Sequence, residues 1–64
     1  MKYVVSVLDY CSGSVDIFPA NVPEDEPDFN IFILDYMEKK GHRAFDCEYM
    51  VQEADKFRLN IELL

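Results

Sequence analysis

His42, the single histidine, and the two cysteines, Cys11 and Cys47, are the side chains best able to act as base, nucleophile or soft metal ligand. A Cys47 thiolate beside the His42 imidazole would supply the parts of nucleophilic catalysis. Five positions of extended chain would hold the two far apart, however, and the alternation around Cys47 turns its side chain toward a core. The pattern therefore reads as a buried structural cysteine and a solvent-exposed turn histidine. Cys11, His42 and Cys47 also lack the paired spacing of zinc sites. The acids Glu24, Asp25, Glu26 and Asp28 come without the glycine and the closing bidentate glutamate of a calcium loop. There is no glycine-rich phosphate loop, so the expectation is a non-enzymatic protein that uses no metal and no cofactor.

Charge narrows the partners further. The 64 residues carry 13 acids and 6 bases, a net −7. All of that excess lies before residue 39, where Lys2 is the only base among eight acids. Direct nucleic-acid binding needs a basic footprint, and only Lys39, Lys40 and Arg43 approach one, so neither nucleic acid nor an anionic membrane is an expected partner. Ser6 and Asp9 interrupt the apolar start, which is unlike a secretory leader, and two cysteines do not make a disulfide framework. Reduced thiols and a cytoplasmic location are expected.

The elements that must position these residues follow from periodicity. Tyr3–Tyr10 is rich in β-branched and aromatic types, and Ser14–Phe18 resumes the alternation after the turn formers Ser12 and Gly13. A three-residue Cys11-Ser12-Gly13 loop, with Gly13 left-handed, pairs Asp9 with Val15 and Val7 with Ile17 and avoids setting Asp9 opposite Asp16. That register gathers Tyr3, Val5, Val7, Val15 and Ile17 on the core face. Three prolines and four acids then make a loop, with Asp25 and Asp28 approximating a capping box and Pro27 in the first turn.

A helix is expected over 26–40, closed by Lys39, Lys40 and a C′ Gly41. Phe29, Phe32, Ile33, Tyr36 and Met37 form its core stripe, which leaves Ile31 and Leu34 exposed on the far side. Phe45, Cys47, Tyr49 and Val51 then share one face of a strand, and Phe57, Leu59, Ile61 and Leu63 share one face of another. The expected fold is a single α+β domain over 1–64, a two-layer ββαββ arrangement with a mainly antiparallel four-stranded sheet and one helix on one face.

A chain of this size buries little core, which favours a protein-interaction module that pairs with another protein or with itself as a homodimer. Ile31, Leu34 and Glu38 on the outer helix surface, or an open sheet edge, would carry the contact. The alternative is an acidic decoy for the basic groove of a DNA- or RNA-binding protein, with Asp9, Asp16, Glu24, Asp25, Glu26, Asp28, Asp35 and Glu38 imitating phosphates.

Overall fold

A computed structural model describes residues 1–62. Strand β1 (Lys2–Asp9) and strand β2 (Ser14–Asn21) form a hairpin, helix α1 (Phe29–Lys39) follows, and strand β3 (Cys47–Glu53) completes an antiparallel sheet of order β2-β1-β3. Short 3-10 turns at Ala44–Asp46 and Ala54–Lys56 flank β3. The α+β class is as expected, but among the described residues the sheet has three strands rather than four. Phe57–Glu62 runs without a strand partner, and Leu63 lies outside the described residues. Alternation specifies a two-faced extended segment but names no partner for it. Here the turn at Ala54–Lys56 takes the place of a tight hairpin loop.

The first hairpin is slipped by one residue from the expected register. Its loop is Tyr10–Gly13, so Asp9 faces Ser14 and Val7 faces Asp16. The Asp9 carboxylate accepts hydrogen bonds from the backbone of Cys11 (3.0 Å) and Ser12 (3.2 Å), and Gly13, at φ +70°, donates to the Asp9 carbonyl at 2.8 Å. Because strand faces alternate, one residue of slip exchanges them: Asp16, Phe18 and Ala20 turn inward, while Val15 and Ile17 turn outward. An inward Asp16 is tolerable because it meets His42, as described below.

Helix α1 begins at Phe29, three residues later than expected, because Asp28 and not Asp25 is its cap. Asp28 Oδ1 accepts from the Ile31 amide at 3.2 Å. Its other end closes as the sequence suggests, with Gly41 at φ +92°. The Gly41 amide donates to Glu38 O (2.9 Å) and the His42 amide to Met37 O (3.0 Å), the paired bonds of a Schellman closure. The helix lies on one face of the sheet, where Ile33 and Met37 join Val5, Val7, Phe18, Ala20, Val22 and Cys47 in the core. Tyr3 and Phe29 meet edge-on at 4.9 Å, and the Tyr36 hydroxyl donates to the Pro19 carbonyl at 3.0 Å. Phe45, expected on the core face, sits in the turn before β3 and is 82% exposed. Among the described residues no helix is long and apolar enough to cross a membrane.

Candidate functional site

Two features stand out once the helix is seated. The first is the sheet face that it leaves bare. Leu8 of β1, Val15 and Ile17 of β2 and Met50 of β3 project from that face, and all four are exposed, Val15 by 62%. With Ser6, Glu48 and the extended residues Phe57–Asn60 they border a cleft of about 470 Å³. Ser6 Oγ lies buried there without a hydrogen-bond partner among the described residues. An unpaired hydroxyl between Ile17 and Met50 costs free energy, and nothing in the hairpin requires it.

The second feature is a polar cluster on the opposite, helix-covered face, at the end of the sheet beside the helix closure. Asp9 and Cys47 are direct cross-strand neighbours, so their side chains stand side by side. His42 reaches them from the Schellman closure, whose C″ residue turns back onto the last helical turn. Its Nδ1 is 2.8 Å from Asp9 Oδ2 and its Nε2 is 2.9 Å from Asp16 Oδ2. The ring stacks parallel to Phe18 at 6.3 Å between centroids and is only 8% exposed. The expected solvent-exposed turn histidine is thus buried, and the expected wide separation of His42 from Cys47 is replaced by proximity.

Electrostatics follow from this packing. His42 beside Asp9, assisted by the Ser12 and Cys11 amides, holds the Asp9 carboxyl below the usual carboxylate range. Burial pushes the Cys47 thiol up, and the neighbouring Asp9 charge pushes it the same way. A thiol shifted in that direction is a poor nucleophile at neutral pH. The same group is a competent ligand once a cation displaces its proton.

The residues expected to form a partner surface share one i, i+3, i+7 stripe of α1 but differ in exposure. Ile31 is 55% exposed and Glu38 is exposed, but Leu34 is half-buried against the core. Glu24, Asp25 and Asp28 are exposed and Glu26 is half-buried, all on the loop before α1. The bare sheet face escaped sequence reasoning because the hairpin register decides it. His42 escaped because its position just after a C′ glycine, which directs a side chain back over the helix end, was read only as a turn. Comparisons with protein-family models, curated proteins and solved structures returned no match.

Proposed function

We propose that the chain is a non-enzymatic protein-interaction module whose binding surface is the bare sheet face, and that the occupant is a second copy of the same chain. The observation that carries this reading is the set Leu8, Val15, Ile17 and Met50, four apolar side chains exposed together on a sheet face with no covering layer among the described residues. Two-layer folds bury both inner faces, and a sheet with one apolar face to spare gains by stacking on another at about 10 Å.

Charge favours a second copy here. Glu24, Asp25, Glu26 and Asp28 lie on the loop before α1, and Asp35 and Glu38 lie on the helix itself, in the layer that would face away from the contact. The rim of the cleft instead carries Glu48 and Arg58, one charge of each sign, which can pair across a two-fold axis. In area, three strands about 4.8 Å apart and seven residues long at about 3.3 Å each present roughly 330 Å² in projection. A standard interface uses about 800 Å² per partner, so Phe57–Glu62 must contribute as well. Leu59 and Ile61 in that segment are exposed and apolar. The two free thiols fit a reducing compartment such as the cytoplasm.

Light scattering after size exclusion, from micromolar to millimolar protein, tests the reading. The wild type should be dimeric at the upper end and should stay so at about 0.5 M salt, because screening relieves the repulsion between two acidic chains. Val15→Lys and Met50→Lys should give folded monomers, and Ile31→Lys should remain dimeric. A wild type that stays monomeric throughout refutes self-association. Binding to a basic nucleic-acid-binding protein that is lost at the same salt would favour the acidic decoy instead.

A further inference from the structure

We propose that Asp9, His42 and Cys47 constitute a binding site for a divalent transition-metal ion of the zinc type, with Asp16 as a positioning residue behind the histidine. The donor atoms of the three side chains, one carboxylate oxygen, one imidazole nitrogen and one sulfur, lie within 4.8 Å of one another. Ligands around a tetrahedral ion at bond lengths of about 2.0–2.3 Å stand about 3.3–3.8 Å apart. Small side-chain rotations therefore suffice to close the site, without backbone movement.

Each donor is held by a different and well-defined element. Asp9 ends the central strand, Cys47 begins its neighbour directly opposite, and His42 is fixed by the two hydrogen bonds that close α1. Asp9 is further tethered through its other oxygen to the amides of Cys11 and Ser12. Asp16 completes the pattern. Metal-bound histidines donate their remote N–H to a carboxylate, which sets the tautomer and the ring orientation. Asp16 Oδ2 lies 2.9 Å from Nε2, close enough to accept that hydrogen after a small rotation, which would leave the Nδ1 lone pair directed toward Asp9 and Cys47. Nδ1 and Asp9 Oδ2 now face each other across 2.8 Å, and the ion would take the place of the hydrogen between them, which moves to Nε2 or leaves to solvent. Cys47 loses its thiol proton to solvent on ligation, and the charges of Asp9 and Cys47 balance the dication. Cys11, exposed in the adjoining loop, is not required as a ligand.

The preference for zinc-like ions over magnesium or calcium follows from the donor set, since sulfur and imidazole suit borderline-soft ions and the hard cations take oxygen. A bound ion would also tie the sheet to the helix end, the kind of fastening a domain of this size uses to supplement a small core.

Titration of tag-free, chelator-treated protein with Co²⁺ tests the site. The expected result is a 1:1 complex with a thiolate-to-cobalt charge-transfer band in the near ultraviolet, bleached by Zn²⁺, and a higher melting temperature with either ion. Cys47→Ser should abolish the band and Cys11→Ser should keep it. Asp16→Asn should keep the band and weaken binding about 10- to 100-fold. Absence of the band in the wild type overturns the proposal, as does a band that follows Cys11 and not Cys47. Should Cys47→Ser fail to fold, the wild-type, Cys11→Ser and Asp16→Asn titrations decide the question alone.

Discussion

Ile33 and Ile31 are the same residue type on the same helix, and the structure places them in opposite environments: Ile33 is 1% exposed and Ile31 is 55% exposed. Ile33→Ala removes a side chain enclosed in the same cluster as Val5, Val7 and Met37. Truncations of this kind cost about 2–5 kcal/mol, set by how far the surroundings collapse into the cavity. At about 0.05–0.15 kcal/mol per residue the whole domain has roughly 3–10 kcal/mol of stability, so the variant forfeits a large share of it. The melting temperature of so small a domain falls about 4–8 °C per kcal/mol, which predicts a drop of at least about 8 °C. Ile31→Ala should shift stability by about 0.5 kcal/mol or less. Both substitutions gain the same helix propensity, so their difference isolates burial. Thermal and urea unfolding followed by far-ultraviolet circular dichroism measures it. An Ile31→Ala variant less stable than Ile33→Ala would mean that α1 presents a different face to the sheet, and the argument for a bare face on the other side would fall with it.

Three further outcomes are expected. Ser6→Ala should raise stability by about 1 kcal/mol in urea unfolding, because it removes a buried hydroxyl that has no partner; a loss of similar size would show that the hydroxyl is satisfied in solution. The Asp9 carboxyl is held below its ordinary 3.8, so its contribution is present above that value and is lost as pH falls through the lowered folded one. Asp9→Asn should therefore be less stable at neutral pH and should lack this part of the acid unfolding limb below about pH 4, and identical acid limbs would contradict the pairing with His42. Gly41→Ala forces a β-carbon onto φ +92° and should destabilise by about 1–2 kcal/mol, and an unchanged melting temperature would argue against the helix closure that places His42.

Sequence reasoning found the hairpin, the helix and β3 because each carries a strong local signal: β-branched runs, a 3.6-residue stripe ending in Lys39-Lys40-Gly41, and the alternation from Cys47 to Val51. It misread what depends on pairing. Avoiding a directly opposed Asp9–Asp16 pair favours a three-residue loop, but the four-residue loop that forms avoids it too, with Asp9 opposite Ser14, and is held by the Asp9 carboxylate on the Cys11 and Ser12 amides. That register brings both acids to the face where His42, about thirty positions away in the chain, meets their carboxylates. The fourth strand was inferred from Phe57, Leu59 and Ile61, whose alternation is real but unpaired. The helix stripe held for Ile33 and Met37, while Leu34 joined the inner side because the stripe of a seated helix is wider than its most apolar line.

The strand order β2-β1-β3 has a bearing on how the chain comes off the ribosome. The central strand is synthesised before either neighbour. Its hairpin with β2 can close as soon as Asn21 emerges, whereas pairing with β3 spans about 40 to 50 positions and is complete only once Glu53 has been made. Through that interval β1 presents a naked edge of β-branched residues, Val4, Val5 and Val7, the kind of edge that captures a stray strand from another chain. The acids that crowd the intervening loop and helix are translated during the same interval, and their mutual repulsion keeps neighbouring nascent chains apart until β3 arrives to cover the edge.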